Sequence, residues 1–124
     1  MEVQIFGLKK NADTRAAIRF FSERRIRAHF VDLKERAIAE GELQRFIQRI
    51  GLEGVLDRES KRIDELGLRH SNMSEARWIE RLMLEPGLLR LPLVRRLGKQ
   101  QEVTVGASED SWKTWMSKDI NKPV

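Results

Sequence analysis

Glu2-Val-Gln-Ile-Phe-Gly-Leu-Lys-Lys-Asn-Ala-Asp-Thr-Arg15 begins as a strand and ends as a helix. Val3 and Ile5 alternate over residues 2–6, which places them on one face of an extended segment. Gly7, Lys9 and Lys10 read as a turn. Asn11, Asp13 and Thr14 follow, side chains able to accept from the unpaired N–H groups of a first helical turn. Ala17, Ile18, Phe21 and Ile26 then recur at helical spacing. Ala28-His-Phe-Val-Asp-Leu33 predicts a second strand with Phe30 and Val31 in the core. Strand, helix, strand is the opening of an α/β fold.

Working outward, Leu43, Phe46, Ile47 and Ile50 mark a helix that starts at Gly41-Glu-Leu and stops at Gly51. The stretch Leu52–Leu88 reads as wholly helical. Leu56, Ile63 and Leu66 define one short helix ending at Gly67. Ser74, Arg77 and Trp78 open another, with Ile79, Leu82 and Met83 in its stripe and Pro86-Gly87 as its stop. Leu91-Pro-Leu-Val-Arg-Arg-Leu97 returns to strand, turns at Gly98-Lys99 and pairs with Glu102-Val-Thr-Val105. Ser108 is expected to cap a last helix carrying Trp112 and Trp115, and Asn121–Val124 to fray. The order is β-α-β, a helical insert over about 40–88, then β-β-α. A right-handed crossover followed by a hairpin and a helix is the wiring of a thioredoxin-like four-stranded mixed sheet. One domain is expected over 1–118, with 119–124 as a tail.

The composition narrows the chemistry. The 124 residues suit one domain, and 40% hydrophobic with 35% charged residues suits a soluble one. Lys and Arg number 24 against 19 Asp and Glu, a net charge of +5 that favours an acidic partner or a solvated basic surface. No apolar run approaches the ~20 residues of a membrane span, and the N-terminus lacks the apolar core of a signal peptide. The cytoplasm is the expected location. Cysteine is absent, so these residues carry no disulfide, thiolate metal site or thiol chemistry. His29 and His70 have no ligand spacing around them, and neither a metal nor a cofactor is expected. No Walker loop, dinucleotide fingerprint or nucleophile elbow occurs. Trp78, Trp112 and Trp115 sit at helical spacing and read as core.

Ile5-Phe-Gly-Leu-Lys-Lys-Asn-Ala-Asp-Thr-Arg15, Leu89-Arg-Leu-Pro-Leu-Val94 and Val103-Thr-Val-Gly-Ala-Ser-Glu-Asp-Ser-Trp112 resemble the arsenate reductase (ArsC)/Spx family of thioredoxin-fold proteins. Asp32-Leu-Lys, Glu42-Leu, Leu66-Gly-Leu and the interval from Pro86 to Pro92 fit in order, and the resemblance spans residues 2–117. In that family a cysteine follows the strand's terminal aromatic residue by five positions. Counting from Phe6, that position is Asn11, and Thr14 takes the second place of the motif. A carboxamide forms no anion at neutral pH and no mixed disulfide, so the family's arsenate chemistry is excluded for these residues acting alone. The resemblance implies anion-binding roles for Arg15, Arg58 and Arg90, and a cis-proline at Pro92 facing the Asn11 loop. Leu91 stands where arsenate reductases place Arg immediately before that proline. Guanidinium forks converging on a helix N-terminus would make an oxyanion pocket. The competing readings are a solvated Arg at each position and, for Asn11, a plain helix N-cap.

Three functional readings follow. The leading one is a redox-inactive family member that acts by binding, with a regulatory protein–protein role. The Spx branch implies RNA polymerase or another protein as its partner. The second is a reductase-like enzyme or oxyanion binder that borrows an external thiol such as glutathione. The third is nucleic-acid binding by the insert, where Gly41–Arg49 and Arg58–Leu68 faintly resemble a helix-turn-helix; few aromatics and mixed charge argue against it.

Overall fold

Val3 and Ile5 point to one face of β1 (Glu2–Gly7) and Phe6 to the other, and this alternation divides the core in two. The computed structural model describes residues 1–98 and 102–120. β1 pairs in parallel with β2 (Arg27–Asp32) and antiparallel with β3 (Leu93–Arg96), which pairs antiparallel with β4 (Val103–Val105). The sheet order is β2-β1-β3-β4, a four-stranded mixed sheet as expected. Helix α1 (Ala12–Glu23) and helix α6 (Glu109–Ile120) cover one face, burying Ala17, Phe20, Phe21, Trp112 and Trp115 against Val3, Ile5 and Val94. The other face is covered by the insert: α2 (Glu40–Ile50), α3 (Leu52–Val55), α4 (Lys61–Glu65), α5 (Glu75–Leu84) and a 3-10 turn at Pro86–Leu88.

Local chemistry sets the ends of these elements. Ser60 and Ser74 accept from the N–H groups of Ile63 and Arg77, capping α4 and α5. The Glu42 carboxylate accepts the Ala39 N–H at 2.9 Å, so α2 starts one residue before Gly41. Helix α1 ends on Arg25 at φ +58°, with the Ile26 N–H reaching back to the Phe21 carbonyl. That position is one glycine usually takes.

Three expectations are corrected. The insert is not wholly helical: Leu56 forms an isolated antiparallel bridge with Leu89, while the Asp57 N–H bonds the Leu88 carbonyl and the Arg90 N–H the Val55 carbonyl. Extended backbone at Leu56 is what satisfies the segment leading to Pro92, so the short helix read across Leu56, Ile63 and Leu66 divides into α3 and α4. Phe30 and Val31 are only half-buried because β2 is an edge strand, and Leu33 just beyond it is buried instead. Ser108 stands immediately before α6, its carbonyl accepting the Trp112 N–H at 3.1 Å and its hydroxyl donating to the Val105 carbonyl at 2.9 Å. Helix α6 passes residue 118, and Asp119 bonds both the Met1 ammonium and Arg96, joining the expected tail to the sheet. The expected turn residue Lys99 and the expected frayed end Asn121–Val124 lie outside the described residues.

Two buried polar contacts bind α6 to the sheet. Trp112 Nε1 donates to Thr104 Oγ1 at 2.9 Å, both side chains being buried. Thr104→Val is expected to leave the indole N–H without a partner and to cost about 1–3 kcal/mol in urea denaturation. The second contact is the buried Arg96, which donates to Glu102 at 2.7 Å and to Asp119 at 3.2 Å. Burial raises the Glu102 carboxyl, but hydrogen bonds from Arg96 and Lys118 outweigh it and hold the group below the usual carboxylate value. Such a group stabilises the fold above its unfolded pKa and loses that contribution as pH falls through its folded one. Stability is therefore expected to fall as pH drops below about 4.3. Arg96→Met should flatten that acid limb in denaturation measured from pH 6 to pH 2, and an unchanged limb would contradict the assignment.

Candidate functional site

At the end of β1 the chain turns tightly. The Asn11 N–H bonds the Leu8 carbonyl at 2.9 Å, and the Gly7 carbonyl accepts the Leu33 N–H at 2.9 Å. Asn11 adopts extended angles, φ −83° and ψ 123°, which turn its side chain over the first turn of α1. Its Oδ1 accepts the Thr14 N–H at 2.7 Å and the Thr14 hydroxyl at 2.9 Å. Asn11 is thus the N-cap of α1, and the Thr14 hydroxyl is directed to the cap. Thr14 is fully buried, and a Cβ built on Gly7 would lie 2.5 Å from its Oγ1 and Cγ2. Only glycine fits there.

Facing this turn is the segment Leu89–Arg90–Leu91, with a cis peptide bond between Leu91 and Pro92. The Gly106 N–H fastens it by bonding the Pro92 carbonyl at 2.9 Å and the Arg90 carbonyl at 3.3 Å. Gly106 has φ +65°, the left-handed region that suits glycine. Between the two walls lies an open cleft of about 390 Å³, completed by Asp13, Asp57, Val105 and Ala107.

The three arginines do not come together. Arg90 alone lines the cleft. Arg15 donates from Nη1 to the Lys9 carbonyl at 2.8 Å and braces the turn from outside. Arg58 forks onto the Glu53 carboxylate at 2.8 and 2.6 Å, donates to the Arg69 carbonyl at 2.9 Å and lies over the Trp78 ring. That bidentate bond pulls the Glu53 carboxyl below its usual value, with a smaller contribution from Arg90. The cleft lining therefore holds one guanidinium against the two carboxylates Asp13 and Asp57. Such a lining opposes an oxyanion. Asp57 has no spacing or motif in the sequence that marks it as a cleft residue; Val105 and Ala107 carry only the backbone and apolar surface of a wall.

What remains for chemistry is hydrogen bonding. No described residue accepts from Asn11 Nδ2, so the cleft offers that amide as a donor, Arg90 as a cation and Asp57 as an acceptor. His29 bonds Glu2 at 2.8 Å on the sheet, far from this turn in the fold. Among the described residues no three His, Asp or Glu side chains group as metal ligands, and no helix is long and apolar enough to cross a membrane.

A helix N-terminus at the end of the first strand, set against a cis-proline loop on a β2-β1-β3-β4 sheet, defines the class: an arsenate-reductase-like thioredoxin fold. The chain belongs to the ArsC family, whose model matches residues 6–115. Among solved structures it is similar to a YffB protein, with TM-score 0.79, 22% identity, and coverage of 90% of this chain and 96% of that one. It is similar to an arsenate reductase from Vibrio cholerae, with TM-score 0.76, 20% identity, and coverage of 91% and 97%. An arsenate reductase (ArsC) related protein from Brucella melitensis matches with TM-score 0.66 and 27% identity, over 94% and 95% of the two chains. No curated protein sequence matches.

The N-cap geometry gives a direct test. Asn11→Cys places a thiol at the start of α1, where unpaired N–H groups and the helix dipole favour its anion. Its pKa is expected below the ~8.5 of a free cysteine, read from labelling rate against pH; a profile matching that of an unstructured peptide would contradict the geometry.

Proposed function

We propose that this protein is a redox-inactive ArsC-family member that works by binding a partner protein in the cleft between Asn11 and Leu91, in a regulatory role. The observation carrying this reading is the Asn11 carboxamide. It stands at the family's nucleophile position, its oxygen is taken by Thr14, and no cysteine occurs in the 124 residues. A site so arranged can hold and orient a ligand but has no thiol to form a mixed disulfide or to attack arsenate. The mixed donor, acceptor and apolar lining suits a polypeptide segment. Two carboxylates in the lining weigh against arsenate and against the carboxylates of glutathione. Nucleic-acid binding by the insert is disfavoured because Arg58, Arg62 and Arg69 are paired with Glu53, with Glu65 and Glu85, and with Asp64. RNA polymerase is the first partner to examine, on the strength of the resemblance to the Spx branch.

Two measurements test the proposal. The purified protein is expected to show no arsenate or disulfide reductase turnover with thioredoxin, glutaredoxin or glutathione. Turnover above a protein-free control, abolished by Asn11→Ala, would overturn it. A photo-crosslinking residue at Ala107, exposed on the cleft rim, is expected to trap purified RNA polymerase or one discrete cellular protein. Arg90→Glu should weaken that adduct several-fold, whereas the same probe at Lys113 on α6 should give none. Equal labelling from both positions would contradict a cleft-borne function.

A further inference from the structure

The sheet order leaves β2 with a bonded neighbour on one side only. Its register with β1, together with the bond from the Leu33 N–H to the Gly7 carbonyl at 2.9 Å, fixes which residues face that neighbour. In a parallel ladder alternate residues turn both backbone groups to the same side. Leu33 faces β1, so Val31, His29 and Arg27 do as well, and Ala28, Phe30 and Asp32 face away. The Asp32 carbonyl is used by the following turn, accepting the Glu35 and Arg36 N–H groups at 3.0 and 3.1 Å. The N–H and carbonyl groups of Ala28 and Phe30, and the Asp32 N–H, bond no described residue. They form a row with steps of about 6.6 Å, the spacing at which an added strand bonds. The opposite edge offers less: β4 has three residues, Ser108 occupies the Val105 carbonyl, and Val103 and Val105 pack against the insert.

Charge selects what can lie along this edge. From Arg24 to Lys34 the chain carries four cations and a single acid, Asp32, itself 3.8 Å from Lys9. The excess lies at the N-terminal end of β2, since Glu35 follows Lys34 in the turn at the other end. Arg25 and Arg27 are exposed there. Arg25 makes no ion pair with a described residue. Arg27 reaches Glu2 only at 4.0 Å, and the other oxygen of Glu2 is held by His29 at 2.8 Å. Glu23, the remaining acid beside them, faces Arg19 at 3.9 Å. Charges on an edge deter strands of like sign; these are positive, so they deter a second copy of the same edge and favour an acidic strand. Phe30 and Val31 are half-buried on opposite faces of the sheet, and each has a flank that such a strand would cover.

We propose that the β2 edge docks an extended acidic segment of another polypeptide, which adds a fifth strand beside Ala28 and Phe30. The ladder supplies affinity and the side chains supply selectivity: acids beside Arg25 and Arg27, apolar residues beside Phe30 and Val31. No residue of β2 lines the Asn11 cleft, so this surface stands whether or not that cleft binds a protein.

The test is amide hydrogen exchange of the full chain with a synthetic peptide of alternating valine and threonine ending in a run of glutamates. The same peptide ending in lysines is the control. In the free protein the Ala28, Phe30 and Asp32 amides are expected to exchange freely while His29 and Val31 are protected. Saturation with the glutamate peptide is expected to slow the three outward amides at least several-fold, and the lysine peptide to leave them unchanged. Reversing the charge with Arg25→Glu and Arg27→Glu together should transfer the preference to the lysine peptide. Ala28→Pro removes one outward N–H, a change edge strands tolerate, and should abolish the protection at Phe30; the charge reversal gives its answer independently of whether that variant folds. Equal protection by the two peptides, protection by neither, or outward amides already protected without peptide would overturn the proposal. Protection that grows with protein concentration alone would assign the edge to a second copy and overturn it equally.

Discussion

The turn between β1 and α1 depends on one cap: both hydrogens of Thr14, on nitrogen and on oxygen, go to a single oxygen of Asn11. This bond starts the helix, and the missing Cβ of Gly7 lets Thr14 sit against the strand. The cap also dictates the chemistry. A cysteine here would present its thiolate to the helix N–H groups and to a substrate; the carboxamide faces those N–H groups with an oxygen and the cleft with a nitrogen. The ArsC-family fold is kept, and the described turn carries a carboxamide with no thiol. Under the proposed function, the site acts by recognition.

Charge is distributed in keeping with that view. Many arginines are consumed in local pairs: Arg36 with Glu42, Arg58 with Glu53, Arg62 with Glu85, Arg69 with Asp64 and Arg96 with Glu102. Most of these pairs are exposed, where each contributes little to stability. Their effect is to quiet the surface of the insert. Arg90 in the cleft is positive charge left for something outside the chain.

Much of this was legible in the sequence, for physical reasons that differ by element. Val3, Ile5 and Phe6 announce β1 through two-residue alternation, and Asn11 announces α1 because few side chains satisfy an N-cap. Their register with Leu91 and Pro92 followed from the family resemblance. Leu56 was misread because a lone leucine between two short helices carries no period, and its extended shape is set by pairing with Leu89, thirty-three residues away. Phe30 and Val31 have strand chemistry, but their burial depends on which strand is the edge. The arginines were least legible. Arg15 and Arg58 have the residue type and spacing for an anion pocket, yet each is captured by a closer acceptor, the Lys9 carbonyl and the Glu53 carboxylate. Composition does not rank those competitors; geometry does.

Asn11 serves as the structural cap of α1. Amide hydrogen exchange at Thr14 under native conditions tests it most directly, because in a helix lacking a side-chain cap the N–H groups of the first turn have no partner. Exchange slowed well below the unstructured-peptide rate in the native protein, and restored toward that rate in Asn11→Ala with the rest of α1 still protected, is the predicted result. Free exchange at Thr14 in the native protein would contradict the account.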